Sequence, residues 1–322
     1  MLLSRVANRI YWAARYLERA EDTARVVRAH GEMIADLPTD APESWRSLVA
    51  VVGSSALYDE RFGDGAEGKA PPEARVVEFL LADSTNVASV VSCVTASREN
   101  LRTTRETVTR DGWQALNDLH LYVGVEVDRG GDRRARERFL SRVIGDSRRI
   151  DGILATTMIH DEAYVMWRLG RAIERADMTT RVLGVRAAAV LLDARPERAG
   201  DGATRRYDEL EWMGVLKSVW GMQMYQRSVS GPIEGERVVR FLLEHDRFPR
   251  AVRALLREVR SALRELPDPS SVIDGVDEVD AALRDSTAAG VDGAALDGAM
   301  DALQEALARL DQRIHARYLR LG

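Results

Sequence analysis

Ten charged side chains recur at matching spacing in two stretches of this sequence, and together they could bind an ion or an anionic group. The first stretch contains Arg15, Glu18, Arg19, Glu21 and Arg25, and the second contains Arg171, Glu174, Arg175, Asp177 and Arg181. Carboxylate oxygens suit a hard cation such as Mg²⁺. The candidates for a metal site are therefore Glu18, Glu21, Glu174 and Asp177. The arginines could bind phosphate or carboxylate groups.

Two structural interpretations compete with a ligand site. In the first, Arg15 with Glu18 and Glu21 with Arg25 are ion pairs on exposed helix surface, each contributing about 0.2 to 0.5 kcal/mol. In the second, the two stretches face each other across a pseudo-twofold axis and hold two halves of the protein in register. Ion-pair networks also form without any function, so the sequence leaves all three interpretations open.

A catalytic interpretation uses the same residues. Glu18 or Glu174 would act as a base, and Arg15 or Arg171 would hold an anion. Asp161, between His160 and Glu162, could supply a further base or ligand, with a capping or surface role as the alternative. The sequence does not decide whether the chain is an enzyme, and it assigns no catalytic residue.

Other catalytic and metal-binding patterns are absent or incomplete. None of the five histidines follows a glutamate by three residues, which argues against a ferritin-type di-iron centre. Residues 63–69 match Gly-x4-Gly-Lys, but Ala70 replaces the Ser or Thr that binds magnesium, so a linker is favoured. The single cysteine, Cys93, excludes an internal disulfide and a cysteine zinc cage, and it reads as a buried small residue.

The charged stretches lie in segments with helical periodicity. Apolar residues recur at helical spacing from Ser4 to about Asp36, and a second helical region runs from about Asp132 to Leu192, with a break near Gly152 or His160. At 100° per residue, Arg15, Asp22, Glu21 and Arg25 lie with Glu18 on one helix face about 120° wide. Around Glu174 the second stretch places Arg171, Asp177 and Arg181 at matching angles, with Met178 in place of the extra acid.

The rest of the chain also predicts helices arranged as a repeat. Glu18 and Glu174 are separated by 174 − 18 = 156 residues, and Phe79 and Phe241 by 241 − 79 = 162 residues. Trp45 and Trp212 fall between them in the same order. We therefore predict an all-α helical bundle of two tandem, pseudo-symmetric helical repeats, residues 1–150 and 151–322, packed as one continuous body.

Local patterns refine this prediction. A helix is predicted over about residues 43–57, Asp111-Gly112 is predicted to be a turn, and residues 119–127 are read as helix. The tail after Pro269 predicts two further helices. Four tryptophans at helical spacing are predicted to pack in the core: Trp45, Trp113, Trp212 and Trp220.

Composition limits the class of protein. Hydrophobic residues make up 45% and charged residues 30%, which is typical of a folded soluble chain. The net charge of −5 gives no general field for binding nucleic acid. No signal peptide and no apolar run of about 20 residues is visible, so we expect a cytoplasmic protein with no membrane partner. A homo-oligomer is left open.

The segment Leu3-Ser-Arg-Val-Ala-Asn-Arg-Ile-Tyr-Trp-Ala-Ala-Arg-Tyr-Leu-Glu-Arg-Ala-Glu21 resembles the opening signature of the bacterial alpha-E family. The segment from Asp161 to Asp177 is similar to that family's second signature. His160 stands where arginine is expected, and Ala172-Ile173 replaces a more usual aromatic-leucine pair. The resemblance spans nearly the whole chain, and Glu18 and Glu174 match the family's acidic positions.

This resemblance implies an all-α protein, usually encoded or fused beside a circularly permuted ATP-grasp ligase and often near a transglutaminase-like protein. The leading hypothesis is a helical partner or accessory subunit of an ATP-dependent amide or peptide ligase, whose acidic and arginine stripe forms a polar pocket or docking surface. If Mg²⁺ or ATP is involved, the resemblance assigns it to the partner. The alternatives are a metal- or phosphate-dependent transferase or ligase acting on a peptide, and a purely structural assembly module.

Overall fold

The fold is described from a computed structural model, which places residues 2–36, 45–63, 73–127, 132–193, 202–288 and 293–320. Within these ranges every regular element is helical and no strand occurs, so the prediction of an all-α protein is confirmed. Most of the glycine-rich motif at residues 63–69 lies outside the described residues.

The first half of the chain contains α1 (Ser4–Asp36), α2 (Arg46–Val51), α3 (Ser55–Phe62), α4 (Glu73–Leu81), α5 (Val90–Arg102), α6 (Arg110–Glu126) and α7 (Arg133–Thr157). The second half contains α8 (Glu162–Asp193), α9 (Gly202–Ser218), α10 (Met222–Ser228), α11 (Gly235–Glu244), α12 (Val252–Leu263), α13 (Ser270–Ala288) and α14 (Gly293–Ile314). A 3-10 turn spans Arg105–Thr107, and a π turn spans His315–Leu319.

The two longest helices, α1 and α8, pack against each other at the centre of the bundle. Helices α5 and α7 pack on α1, while α12 and α14 pack on α8. One apolar core runs from Ala7 to Leu319 and includes Cys93, which is fully buried as predicted. Neighbours surround α1 and α8, so their polar faces lie inside the protein. The predicted division at residue 150 falls within α7.

Helix caps explain where several predicted boundaries differ from the observed ones. The Thr109 side chain accepts a hydrogen bond from the Gly112 backbone and caps α6, so the predicted turn at Asp111-Gly112 is wrong: both residues lie in the first turn of a helix. That helix runs to Glu126, which confirms the helical reading of residues 119–127. The long helical region beginning near Asp132 breaks before Asp161, near His160, and not at Gly152.

A left-handed residue ends each of two similar turns. Gly53, at φ +73°, separates α2 from α3, so the helix predicted over residues 43–57 is divided. Trp220, at φ +54°, separates α9 from α10. The prediction that Trp220 packs in the core is wrong because this turn leaves 47% of the residue exposed; the other three tryptophans of that prediction are buried.

None of the helices in the described ranges combines the length and apolar character needed to cross a bilayer.

Candidate functional site

The site begins where α1 and α8 come closest. Gly170 on α8 lies against the backbone of Tyr11 and 3.1 Å, measured from an ideal Cβ, from the Cβ of Ala14. A side chain at Gly170 would overlap the carbonyl oxygen of Tyr11. This contact brings the two charged stretches within reach of each other.

Glu174 on α8 is held by two arginines from α1. Nε of Arg15 donates to Oε2 over 2.8 Å, and Nε of Arg19 donates to Oε1 over 2.5 Å. Burial acts to raise the pKa of Glu174, but the attraction and hydrogen bonds of Arg19 and Arg15 outweigh it and lower the pKa to about 2. The carboxylate is therefore ionised at neutral pH and is a weak base.

Glu18 on α1 is held in the reciprocal way. Nε of Arg175 donates to Oε1 over 2.7 Å, and Nε of Arg171 donates to Oε2 over 3.2 Å. Arg250, from the residues just before α12, approaches Oε1 to 3.0 Å. Burial again acts to raise the pKa of Glu18, but Arg175 and Arg250 lower it overall.

Asp311 on α14 completes the surroundings of Arg15. Its Oδ1 atom accepts hydrogen bonds from Nη1 of Arg15, over 2.7 Å, and from the hydroxyl of Tyr11. Burial and the nearby Asp311 raise the pKa of Tyr11, although Arg15 opposes them, so the hydroxyl stays protonated and donates.

Asp151 on α7 does the same for Arg171. Its Oδ1 atom accepts from Nη1 of Arg171 and, over 3.2 Å, from Nε1 of Trp167. In both places an aspartate from a neighbouring helix binds one arginine and one aromatic side chain of a central helix.

A second group of buried charges lies next to Glu18. Arg250 donates to Oδ1 of Asp22 over 2.9 Å and to Oε1 of Glu21 over 3.2 Å. Arg25 pairs with the same Asp22 oxygen. The side chains of Glu21, Asp22 and Arg25 are at most 3% exposed.

Asp22 is the least satisfied carboxyl in this second group. Its Oδ2 atom accepts no hydrogen bond from the described residues, and Nε of Arg25 donates none. Burial, reinforced by Glu18 and Glu21, raises the pKa of Asp22 to about 7 against the attraction of Arg25 and Arg250. Burial and Arg250 lower the pKa of Arg25 to about 10. Asp22 is thus the group here that can titrate near neutrality.

Arg148 on α7 connects this buried group with the surface. Its Nε donates to Oε1 of Glu21 over 3.1 Å, and its guanidinium carbon lies 4.0 Å from the centre of the Trp220 ring. Both Arg148 and Trp220 are partly exposed. Arg148 therefore contacts Glu21 on one side and the exposed Trp220 ring on the other.

Three predicted site residues lie apart from these pairs. Asp177 accepts a hydrogen bond from Arg181 one turn along α8, over 2.9 Å, and Arg181 also lies beside Gly53. Asp161 accepts from the backbone of Ala163 over 3.0 Å and caps α8. The other eight predicted residues are brought together: Arg15, Glu18, Arg19, Glu21, Arg25, Arg171, Glu174 and Arg175.

This geometry separates the interpretations made from sequence. The interpretation of exposed ion pairs is wrong, because Glu18, Glu21 and Glu174 are buried. The two stretches do face each other, and each glutamate pairs with arginines of the opposite helix. Among the described residues, no group of three or more His, Cys, Asp or Glu side chains is placed to hold a metal. Arginines lie against the oxygens that a cation would need.

Asp22 lies within the first charged stretch but was not predicted as a site residue. Four charged residues outside the two stretches were also not predicted: Arg148, Asp151, Arg250 and Asp311. A signal for two of them is present in the sequence. Asp151 ends Arg149-Ile-Asp and Asp311 ends Arg309-Leu-Asp, and 311 − 151 = 160 residues separate them, close to the repeat offset. Arg250 and Arg148 have no such signal, because one lies outside a helix and the other lies in an arginine-rich helix.

A family model described as a predicted alpha-helical domain with a conserved ER motif matches residues 2–319. The chain belongs to the alpha-E family. Uncharacterised proteins of Mycobacterium bovis and of one strain of Mycobacterium tuberculosis are each 25% identical over 97% of this chain, and that of another M. tuberculosis strain is 24% identical. The chain spans 35% of the length of these relatives. No solved structure matches it.

The description of the alpha-E family names a Glu-Arg motif, and two of the Glu-Arg dipeptides of this chain lie in the site. Glu-Arg occurs at Glu18-Arg19 on α1 and again at Glu174-Arg175 on α8. The glutamate of each pair binds the arginine of the other. In this alpha-E domain, two Glu-Arg pairs therefore form one crossed contact between the central helices, which we call the ER clasp.

Proposed function

We propose that this chain is a non-catalytic helical accessory subunit of an ATP-grasp-type amide or peptide ligase system. The observation that carries the non-catalytic part is the ER clasp. Each oxygen of Glu18 and Glu174 accepts at least one arginine, and the low pKa of Glu174 makes it unsuited to remove protons. A buried, fully paired layer of this kind holds helices in register, since separating one pair would leave unpaired charges inside the protein.

We also propose that the body of the subunit is two tandem copies of one helical unit. Support comes from the crossed pairing of Glu18 with Arg175 and of Glu174 with Arg19. Asp151 and Asp311 support it further, as each binds an arginine and an aromatic residue of a central helix at corresponding positions. A duplicated unit would offer a rigid surface rather than a reactive pocket.

The ligase is named from the family resemblance, and the ion pairs carry no information about it. Roughly two thirds of each mycobacterial relative lies outside the part that matches this chain. We propose that the ATP-grasp protein supplies the ligase activity. Mg²⁺ and ATP would then bind to that partner, and a transglutaminase-like protein would act in the same system.

One observation favours the catalytic alternative, a metal- or phosphate-dependent transferase acting on a peptide. Asp22 has an oxygen without a hydrogen-bond partner and a pKa of about 7, which suits a general base. Its complete burial weighs against this role, because a substrate would have to displace Arg148 or Trp220 to reach it. A purely structural assembly module is the remaining alternative.

The deciding experiment expresses the chain together with an ATP-grasp protein of the same organism and measures both co-purification and amide-bond formation. We expect a stable complex in which ligase turnover depends on the chain. The Asp22→Asn variant should support ligase turnover as well as the unaltered chain does. If Asp22 were the catalytic base, this variant would be inactive. Absence of a complex in several expression contexts would refute the accessory role.

Calorimetry on the isolated chain tests the cofactor assignment. Titration with MgCl₂ and with ATP should give no saturable heat, because the cofactors are assigned to the partner. Stoichiometric binding to the isolated chain would favour the enzyme instead. A complex that forms but leaves ligase turnover unchanged would favour the structural module.

A further inference from the structure

The outer face of α7 carries a pattern that the interior of the protein does not explain. This α7 face consists of Arg134, Arg138, Arg142, Gly145, Arg149 and Gly152. All six residues are exposed and lie within about 80° of one another around the helix. Positive charge is thus concentrated on one helix of a chain whose net charge is −5.

No contact with the described residues requires glycine at these two positions. Outside its own helix, a Cβ atom added at Gly145 or Gly152 would meet no atom of the described residues within 4 Å, and neither residue has the positive φ that favours glycine. Glycine weakens a helix when alanine would fit, because it adds freedom to the unfolded chain. Their placement is explained if another backbone approaches α7 closely at these points.

The spacing of these glycines and arginines indicates that the approaching backbone is a helix. Arg138, Gly145 and Gly152 follow one another at intervals of seven residues, and Arg142 and Arg149 are also seven residues apart. A seven-residue repeat keeps one face of a helix turned toward a second helix lying along it. The glycines would receive side chains of that second helix, and the arginines would lie beside them.

The arginines of the α7 face indicate the charge of the second helix. Asp146, which is nearly buried, pairs with Arg142 over 2.5 Å and with Arg149 over 3.4 Å, so one carboxylate serves two cations. The remaining positive charge calls for acidic residues on the occupant. A second copy of the same face, paired about a twofold axis, would instead place arginine against arginine.

Apolar groups flank the α7 face on both sides. On one side Arg142 lies over the ring of Tyr122 on α6. The same helix carries Leu121 and Val125, which are 59% and 66% exposed. On the other side Arg148 lies over Trp220, which stays exposed in its left-handed turn. Apolar positions beside a charged strip are typical of a surface that binds an amphipathic helix.

We propose that the α7 face is a docking surface for an acidic amphipathic helix of a partner protein. The glycines admit its apolar side chains, Arg138, Arg142 and Arg149 pair with its carboxylates, and Leu121 with Val125 contacts its apolar edge. The proposal deepens the proposed accessory function, because it specifies how a partner polypeptide would be held.

The test uses a synthetic helical peptide of three heptads with leucine along one face and glutamate on both sides of it. Fluorescence anisotropy with the full chain should show saturable binding that weakens as salt is added. A peptide with lysine in place of every glutamate should not bind. A failure of the acidic peptide to bind at about 1 mM would overturn the proposal.

Two variants locate the binding on α7. Gly145→Gln fills the open space on the helix surface at Gly145. Glutamine favours helix and meets no neighbour there, so the chain should fold normally. Peptide affinity should fall at least tenfold. Arg138→Glu should lower affinity by a similar factor. The matched controls on α14, Gly298→Gln and Arg309→Glu, should bind the peptide like the unaltered chain, since Gly298 also has open space around it and Arg309 is exposed.

Other occupants are distinguished in the same assay. Duplex DNA, or vesicles containing phosphatidylserine, binding more tightly than the acidic peptide and responding to Arg138→Glu would overturn the proposal in favour of a phosphate-binding surface. Equal losses in the α14 controls would show a general charge effect and refute it as well. If the ligase co-purifies with the chain while the peptide does not bind, the accessory function stands and the α7 face is rejected.

Discussion

Oε1 of Glu174 accepts a hydrogen bond from Nε of Arg19 over 2.5 Å, although 155 residues separate them in the chain. The charged stretch of α1 therefore does not interact chiefly with itself. Arg15, Glu18 and Arg19 of α1 pair with Arg171, Glu174 and Arg175 of α8. Arg25 pairs instead with Asp22 on its own helix. Because Gly170 has no side chain, α1 and α8 cross closely enough for these ion pairs to form.

Glu174→Gln should lower the free energy of unfolding by about 3 to 5 kcal/mol, because it removes one charge from a buried cluster and leaves Arg19 without its partner. Urea denaturation followed by circular dichroism measures the change. As a control, Glu305→Gln on α14, where the carboxylate is 75% exposed, should change stability by less than about 0.5 kcal/mol. Equal effects of the two substitutions would contradict the clasp.

The contribution of Glu174 should depend on pH in the acid range. The pKa is lowered from 4.5 to about 2 in the folded protein, so its stabilisation is complete above about pH 5 and is lost as pH falls from 4.5 towards 2. The stability difference between the unaltered chain and Glu174→Gln should be constant from pH 7 to 5 and shrink below. A difference that stays constant down to pH 3 would show that the pKa is not lowered.

The contribution of Asp22 to stability should depend on pH in the opposite way. Its pKa is raised from 3.8 to about 7, so the folded state binds its proton more tightly and gains stability as pH falls through this range. Relative to Asp22→Asn, the unaltered chain should lose at least about 1.4 kcal/mol as pH rises from 4 to 7, the equivalent of one pKa unit. A carboxyl titration in the unaltered chain, absent in the variant, gives an independent measurement by NMR.

Gly170→Ala should be strongly destabilising, by about 1 to 3 kcal/mol or more, since the added Cβ overlaps the Tyr11 carbonyl and pushes α1 away from α8. The matched change Gly145→Ala, in open space on α7, should instead stabilise by about 0.5 to 1 kcal/mol. Thermal denaturation of both variants checks the pair. A tolerated Gly170→Ala would mean that the helix contact can relax without cost.

The two left-handed turns should respond differently to substitution. Trp220→Gly relieves about 1 to 2 kcal/mol of backbone strain and loses an exposed cation–π contact of about 0.5 to 1 kcal/mol, so stability should be unchanged or slightly higher. Gly53→Ala should lower stability by about 1 to 2 kcal/mol, as its φ is +73° and the new Cβ would lie 2.7 Å from Nη1 of Arg181. A large loss of stability in Trp220→Gly would show instead that the Trp220 ring stabilises the fold by packing.

Periodicity predicted the helices well because helical spacing reflects burial, which also determines the fold. It placed Glu18 and Glu174 on matching faces, and the recurrence of the charged stretch suggested that these faces meet. Boundaries depended on caps: a threonine before Asp111-Gly112 is enough to turn an apparent turn into the start of a helix. Trp220 was misplaced because its exposure is set by one backbone angle, which composition does not reveal.

The partners of the charged residues were harder to predict than the residues themselves. Arg250 reaches Glu18, Glu21 and Asp22 from a segment before α12, a contact produced by the packing of α12 on α8. Nothing in the local sequence distinguishes it from other arginines. Asp151 and Asp311 could have been found by extending the repeat comparison to Arg-Ile-Asp and Arg-Leu-Asp, because their geometry follows the same offset.

The two sides of the ER clasp are chemically equivalent, because each central helix contributes a glutamate and arginines in the same order. Such an interface can be formed equally by two identical short chains, each giving and receiving alike. In the two-copy organisation proposed above, joining the copies in one polypeptide leaves each free to differ from the other on its outer surface, as the turn at Trp220 differs from the turn at Gly53. A basic α7 on one flank is the kind of asymmetry that a symmetric dimer could not have acquired.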